Sequence, residues 1–207
     1  MYENTNKKVF YTDWVKHDIH KGVSTLDKYV LIRDEAVLLI VDIQDKLVPA
    51  MKYGEKVIRN TNTIISFAKK LGIPIIVTEQ YPKGLGKTVS DVSSNLEGSL
   101  TYEKITFSGC TGEVTSALNE LGRKKIIVTG METHICVFQT VRDLLTHGYQ
   151  VFVVSDAVCS RTKENYQNGL SLMSSMGAVI TNTETVFFDL MKEAGTPLFK
   201  ELSKLIK

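Results

Sequence analysis

The stretch AVLLIVD, residues 36–42, decides the fold class, because six consecutive apolar residues lead directly into an acid. A strand with one face in water alternates apolar and polar residues, whereas a strand buried on both faces is apolar throughout. Strands of the second kind belong almost always to parallel sheets that helices cover on both sides. The stretch therefore predicts a central strand of a parallel sheet, with Asp42 at its carboxyl end.

The rest of the chain alternates strand and helix patterns. Five more runs rich in apolar or β-branched residues predict strands: residues 73–78, 102–105, 125–129, 150–155 and 178–181. Apolar residues at helical spacing predict the helices: residues 55–71, 113–121, 133–147, 163–176, 184–194 and 198–206. Strands that alternate with helices form right-handed βαβ units. We therefore expect six strands in a parallel sheet that is covered on both faces.

The length of 207 residues is compatible with one large domain and a continuous core. Residues 1–33 precede the first core strand, so we interpret them as an N-terminal extension and residues 34–207 as the domain. The extension contains Phe10, Tyr11 and Trp14, which we expect to pack over the domain or against another subunit.

The charge and cysteine content exclude several classes of protein. With 25 basic and 23 acidic residues, the net charge of +2 gives no reason to expect nucleic acid or a membrane as the main partner. Three cysteines without regular spacing argue against a disulfide scaffold and favour a reducing compartment. The N-terminus lacks a signal-peptide pattern, and the longest apolar run, residues 36–41, is too short to span a bilayer. We expect a soluble cytoplasmic protein.

Three residue types suited to covalent catalysis lie at or after the ends of predicted strands. In an open parallel sheet, ligands bind outside the carboxyl ends of the strands. Asp42 follows the first strand, Lys104 lies in the third, and Gly130 leads from the fourth towards Cys136. The sheet edge should therefore bring an acid, a lysine and a thiol together, provided that the strand order allows it.

Cys136 lies near the start of a predicted helix, which favours a nucleophile. With Thr133 as N-cap, Cys136 takes the third helical position, where free N–H groups and the helix dipole lower a thiol pKa. A carboxylate could accept the thiol proton, and amides of the 131–136 turn could bind an oxyanion. Taken singly, Cys136 could equally be a core thiol, Asp42 a turn cap, and Lys104 a solvated charge.

Three motifs carry a resemblance to a known family. LLIVDIQ (residues 38–44), YEK (residues 102–104) and VTGMETHICVFQT (residues 128–140) occur in this order. Together they resemble the isochorismatase-like cysteine hydrolases, a superfamily that includes nicotinamidase and N-carbamoylsarcosine amidase. The similarity extends from about residue 36 to residue 185.

The resemblance implies a catalytic triad of Asp42, Lys104 and Cys136 within a Rossmann-like three-layer α/β/α sandwich around a six-stranded parallel sheet. It also implies a cis peptide bond between Met131 and Glu132, with the amides of Glu132 and Cys136 directed at the oxyanion. The family is commonly oligomeric, so the resemblance implies a homo-oligomer, a dimer or larger.

The loop after the second strand departs from the metal-binding nicotinamidases, which carry an aspartate and two histidines there. EQYPKGLG, residues 79–86, contains no histidine, so we expect neither a metal nor another cofactor, and nicotinamide is a poor candidate substrate. Residues 83–88 resemble half of a phosphate-binding loop, but Tyr81 stands where its first glycine is required. The two glycines of this loop could instead let it close over the site.

Further residues take expected roles from their positions. We expect these residues to contact substrate: Gln44, Tyr81, Thr133 and His134. His134 lies two residues before Cys136 and so points elsewhere, which favours a place in the pocket wall over a role as base. Cys110 and Cys159 match no motif, and we expect both to be structural.

The sequence thus predicts a cofactor-independent cysteine hydrolase of a small amide-like or isochorismate-like molecule. Whether a C–N or an ether bond is cleaved stays open, because isochorismatase itself cleaves a vinyl ether and a covalent cysteine step is not required there. The alternative is a catalytically inactive member that binds a metabolite or a protein partner.

Overall fold

The computed structural model describes residues 26–206. Phe10, Tyr11 and Trp14, and most of the predicted extension, lie outside the described residues. From Leu31 onward the chain forms one compact unit. No helix within the described part of the chain has the length and apolar content needed to cross a bilayer.

The sheet has six strands, all parallel, in the order β3-β2-β1-β4-β5-β6. The strands are β1 Ala36–Val41, β2 Ile75–Gln80, β3 Leu100–Lys104, β4 Lys125–Met131, β5 Gln150–Cys159 and β6 Val179–Thr181. The predicted six-stranded parallel sheet is confirmed. Because β1 leads to β2 on one side and β4 leads to β5 on the other, the chain changes direction between β1 and β4, which is where ligands bind in sheets of this kind.

Helices cover both faces of the sheet. The α-helices are α1 Gly54–Leu71, α2 Pro82–Leu85, α3 Ser90–Ser93, α4 Gly112–Leu121, α5 Phe138–Thr146, α6 Lys163–Ser175, α7 Thr183–Met191 and α8 Pro197–Leu202. Leu38 and Ile40 of β1 belong to the core shared with α1 and α7. Val37 and Leu39 belong to the opposite core, shared with α4 and α5. All six residues of β1 are buried, which explains why this strand has no polar face.

The helix predicted from residue 133 begins with a wider turn. Thr133–Val137 is π-helical and runs into α5, and its N-cap is Glu132 rather than Thr133, so the predicted N-cap is wrong. The N–H groups of Ile135 and Val137 both donate to the Glu132 carbonyl oxygen, at 3.1 and 3.2 Å. The turn is wider than that of an α-helix, because this one carbonyl oxygen accepts hydrogen bonds from amides three and five residues later. Cys136 therefore lies in an irregular segment.

Gly130 fixes the distance between the ends of β1 and β4. It pairs with Val41 and has a φ of 123°, a backbone conformation that favours glycine. A Cβ atom at this position would lie 1.9 Å from the Val41 carbonyl oxygen. Only glycine therefore lets the turn that carries Cys136 lie directly beside Asp42.

Candidate active site

Asp42 follows β1 and is fully buried, with a φ of 53° in the left-handed region. The Thr78 hydroxyl donates to Asp42 Oδ1 at 2.7 Å, and Lys104 Nζ lies 2.6 Å from Asp42 Oδ2. The Asp42 N–H donates to the Thr78 carbonyl oxygen at 3.1 Å. Strand β2 therefore holds both the backbone and the carboxyl group of Asp42.

Lys104 ends β3 and reaches across the end of β2 towards Asp42. Its ammonium is fully buried and donates to Gln80 Oε1 at 2.7 Å, to the Phe107 carbonyl at 3.0 Å and to the Thr106 carbonyl at 3.2 Å. Together with Asp42 Oδ2, these acceptors give the ammonium four oxygen neighbours for its three N–H bonds. The Asp42 carboxyl group therefore lies in direct contact with a positive charge.

Cys136 lies beside this pair and is almost completely buried. Burial raises the pKa of its thiol to about 12, the Asp42 charge adds to the increase, and Lys104 opposes it. Burial also raises the pKa of Asp42, although Lys104 and Thr78 oppose that increase. The expected low thiol pKa is therefore wrong, because burial and the Asp42 charge raise the pKa of the thiol. The thiol becomes nucleophilic only by giving up its proton during the reaction.

The peptide bond between Met131 and Glu132 is cis. The Glu132 carboxylate is buried and accepts from the Arg161 backbone N–H at 3.0 Å and from Arg161 Nε at 3.1 Å. Arg161 therefore anchors the first residue of the Cys136 turn. That the amides of Glu132 and Cys136 bind an oxyanion stays a prediction.

Gln44 and Tyr81 differ in how far they are available to a ligand. Both side-chain N–H bonds of Gln44 are used, one on the Gln80 carbonyl at 2.9 Å and one on the Gly86 carbonyl at 2.6 Å. Gln44 thus ties the 81–88 loop to β2 and has no N–H free for substrate. Tyr81 is half exposed with a φ of 39°, and its N–H donates to the Lys104 carbonyl at 2.7 Å.

Thr133 and His134 both belong to the turn of Cys136. The Thr133 hydroxyl is buried and has no hydrogen-bond partner within the described part of the chain, so it has capacity for a polar contact. His134 Nδ1 lies 2.9 Å from Ser160 Oγ. This contact with the end of β5 is consistent with the expected place of His134 in a wall rather than as a base.

The end of β2 contributes residues that sequence reasoning missed. Thr78 and Gln80 bind the two charged members of the site, Asp42 and Lys104. The signal that could have found them is the polar triplet TEQ, residues 78–80, at the end of an otherwise apolar strand. Burial raises the pKa of Glu79, but hydrogen bonds from Thr88 and the ammonium of Lys87 lower it by more.

The other two cysteines lack such surroundings. Burial raises the pKa of both Cys110 and Cys159 to about 12. The Cys110 thiol donates to the Thr140 carbonyl at 3.6 Å, and Cys159 belongs to the core of the α1 face. All three cysteines are free. Cys136 differs from them not in its pKa but in the acid and the ammonium beside it.

The residues described include no group of three or more His, Cys, Asp or Glu side chains that could hold a metal ion. The absence of a cofactor stays a prediction.

The family model for the isochorismatase domain matches residues 36–185. The chain belongs to the isochorismatase family. It is 43% identical over 182 residues to the secreted isochorismatase effector Isc1 of Phytophthora sojae, covering 86% of this chain and 87% of that protein. The MAR1 ribonuclease of Caenorhabditis elegans superposes with a TM-score of 0.82 and 36% identity, over 86% of this chain and 92% of that one. The ycaC gene product of Escherichia coli, described as an octameric hydrolase of unknown specificity, shares the fold with a TM-score of 0.75 and 23% identity, over 79% and 83% of the two chains.

Family membership supports a hydrolase-type function for this chain. The specific reaction does not follow from the relatives, because one is named an effector and another a ribonuclease. A cytoplasmic location also stays a prediction, since one relative is named a secreted protein.

Proposed function

We propose that this protein is a metal-independent cysteine hydrolase of small molecules, with Asp42, Lys104 and Cys136 as its catalytic residues. The observation that carries the proposal is the buried contact of the three groups. The Asp42 carboxyl group lies 2.6 Å from the Lys104 ammonium and is within hydrogen-bond reach of the Cys136 thiol. A carboxylate in hydrogen-bond reach of a thiol can accept the proton of that thiol.

In the first half of the reaction, Cys136 Sγ attacks the carbonyl carbon of an amide-like substrate and its proton passes to Asp42. The raised pKa values of both groups favour proton transfer during the attack over a preformed thiolate. The C–N bond then breaks, and the leaving amine takes the proton from the Asp42 carboxyl group. A thioester on Cys136 remains.

In the second half, Asp42 accepts a proton from water as that water attacks the thioester carbon. The carbon–sulfur bond breaks, the proton returns to sulfur, and the carboxylic acid leaves. Lys104 keeps its charge throughout and stabilises the negative charge, which moves between Asp42, the thiol and the substrate oxygen. Removal of water from the buried site strengthens this interaction.

The burial of the site supports a small substrate. Asp42 and Lys104 are fully buried at their side chains, and Cys136 is only 6% exposed. The Caenorhabditis elegans relative is named a ribonuclease, and the substrate of a ribonuclease is a polynucleotide. The phosphodiester groups of a polynucleotide belong to a bulky chain, which would have difficulty in reaching side chains that are buried this deeply. A small amide fits better, and an isochorismate-like ether is the alternative bond.

The test is hydrolysis of a panel of small amides by the full chain, followed by ammonia or amine release. We expect Cys136→Ala to lower kcat/KM by about 10³-fold or more, because no nucleophile remains. Cys110→Ala, which removes a thiol with a similarly raised pKa, should retain turnover. A thioester adduct on Cys136, detected by mass spectrometry after acid quench, would identify the nucleophile.

Turnover retained by Cys136→Ala would refute the covalent mechanism. Binding without turnover of any amide or ether would favour the inactive, ligand-binding alternative.

We also infer that the protein forms a homo-oligomer. β3 is an edge strand, and large apolar side chains are exposed at its first residue and just after its end, with Leu100 45%, Ile105 75% and Phe107 55% exposed. The octameric state given for the Escherichia coli neighbour supports assembly within this fold. Light scattering should give a mass above the 23.1 kDa of one chain, and a monomer would refute the inference.

A further inference from the structure

A cavity lies at the carboxyl end of β5, and the proposed catalytic residues, Asp42, Lys104 and Cys136, are not among the residues that line it. Its volume is about 790 Å³. Its walls come from the start of α1, the end of β5, the start of α6 and the residue that caps α7. Small-molecule sites typically have volumes of this size.

The cavity carries an excess of positive charge. The basic side chains that line it are Lys52, Lys56, Arg161 and Lys163. Of its two acids, Asp156 is already used, because its Oδ1 accepts from the Thr183 N–H at 2.8 Å and from the Thr183 hydroxyl at 2.9 Å. Glu164 is exposed, as are the four basic residues. An anionic ligand would therefore meet more cations than anions.

Lys56 and Lys163 have free ammonium groups. Neither forms an ion pair or a side-chain hydrogen bond with any residue in the described part of the chain. Lys56 lies in the first turn of α1, whose N-cap Tyr53 makes no side-chain capping bond, and Lys163 is the first residue of α6. The positive ends of two helix dipoles thus add to the two charges.

Arg161 is oriented by a buried acid. Its backbone N–H and Nε both donate to Glu132 Oε2, and Glu132 is only 6% exposed. Within residues 26–206, the two terminal nitrogens, Nη1 and Nη2, have no hydrogen-bond partner. A guanidinium held through Nε presents a fixed fork, which matches two oxygens of a phosphate group.

We propose that this cavity is a second ligand site, which binds a small phosphate monoester separately from the thiol site. Arg161 contacts two phosphate oxygens through its fork, and Lys56 and Lys163 supply the remaining charge. The Tyr166 hydroxyl donates to the Ser155 carbonyl at 2.8 Å, so its ring is fixed as an apolar wall for the organic part.

Isothermal titration of the full chain tests the proposal with three matched pairs of probes. The pairs are adenosine monophosphate with adenosine, ribose 5-phosphate with ribose, and phenyl phosphate with phenol. We expect at least one phosphate ester to bind with a stoichiometry of one per chain. Its unphosphorylated partner should bind at least about tenfold more weakly, since the charge-assisted bonds are lost. Failure of all three esters to bind at about 10 mM would overturn the proposal.

Charge variants locate the site. Lys56→Ala with Lys163→Ala should weaken binding about tenfold or more. Lys200→Ala with Lys204→Ala removes the same charge from exposed positions outside the cavity and should leave the affinity unchanged. An equal loss in both double variants would show a bulk charge effect, and no loss in the first would place the ligand elsewhere; either result overturns the proposal.

The Cys136→Ala variant separates this proposal from the proposed reaction. It should bind the ester with the affinity of the unmodified chain, whether or not that chain hydrolyses amides. A loss of affinity in Cys136→Ala would place the ester in the catalytic site and overturn the proposal of a second one.

Discussion

Asp42 is held in a left-handed backbone conformation, with a φ of 53°, that residues other than glycine rarely adopt. Such strain costs of the order of 1–3 kcal/mol and persists only where the surroundings fix it. Here the fixed contacts are those of Thr78, one to the backbone and one to the carboxyl group of Asp42. The position of Asp42, the proposed general base, therefore depends in part on a neutral residue in the next strand.

Thr78→Val should destabilise the protein by about 1–3 kcal/mol, because it leaves buried Asp42 Oδ1 without its hydroxyl donor. The free energy of unfolding in urea measures this. Thr61→Val is the matched control: the Thr61 hydroxyl is also buried but has no partner in the described structure, so its loss should be neutral or stabilising. Equal losses in the two variants would contradict the role of the Thr78–Asp42 bond.

Alkylation of Cys136 by iodoacetamide should be slow at neutral pH and rise about tenfold per pH unit from pH 7 to pH 10. With a pKa of about 12, a fraction of only about 10⁻⁵ of the thiol is ionised at pH 7. Peptide mass spectrometry of native protein gives the rate, and urea-unfolded protein serves as the reference with an ordinary thiol. A rate for Cys136 that is already constant below pH 7 would instead indicate a resting thiolate.

At the scale of single elements, the ends of β1 and β4 are the most constrained part of the sheet. Gly130→Ala should destabilise the protein by more than about 3 kcal/mol or prevent folding, since its Cβ would lie 1.9 Å from the Val41 carbonyl oxygen. Gly148→Ala is the matched control: its φ of 80° is also positive, but nothing lies within 4 Å of the added Cβ. It should cost about 1 kcal/mol.

Urea unfolding of both variants distinguishes a steric effect from a conformational one. If Gly130→Ala and Gly148→Ala lost similar stability, the close approach of β4 to β1 would not be what limits this position.

Some elements could be predicted from the sequence and others could not. Both ends of β1 were predicted correctly. A strand that is buried on both faces is a continuous run of apolar residues, which can be recognised without knowledge of the neighbouring strands. β5 was predicted to end at residue 155 but continues to Cys159, since its last residues pair with Gly130 and Met131 of β4 across an irregular register. That pairing depends on a neighbouring strand, so no local pattern reports it.

The candidate site shows the same division. The sequence indicated which groups lie at the carboxyl edge, and the strand order then brought Asp42 and Lys104 within 2.6 Å. The low thiol pKa expected for Cys136 was wrong, because the extent of burial is a property of the packed turn. The π-helical start of the turn depends likewise on one carbonyl group, that of Glu132, and the sequence gives no sign of it.

At the scale of the whole molecule, three thiols with raised pKa values make the fold sensitive to alkali. Each pKa rises to about 12 on folding, so the stability that each contributes is fully present below the ordinary thiol pKa. It is lost as the pH rises towards 12, by about 1.4 kcal/mol per pH unit and thiol, because the unfolded chain releases protons that the folded chain retains.

Urea unfolding at several pH values between about 9 and 11 measures this slope. Cys159→Ala should reduce it by about 1.4 kcal/mol per pH unit relative to the unmodified chain. An unchanged slope would mean that the Cys159 thiol does not resist ionisation in the folded protein.

Lys104, the cation of the proposed triad, belongs to an edge strand of the sheet. β3 pairs with β2 alone, at the edge of the sheet, and its first four residues are exposed or half-buried. Segments with few buried contacts open locally without global unfolding. A brief detachment of β3 would remove the cation from Asp42 while the central strands stayed intact. Mild denaturant should therefore abolish turnover before the core melts, with fast amide hydrogen exchange confined to β3 as its signature.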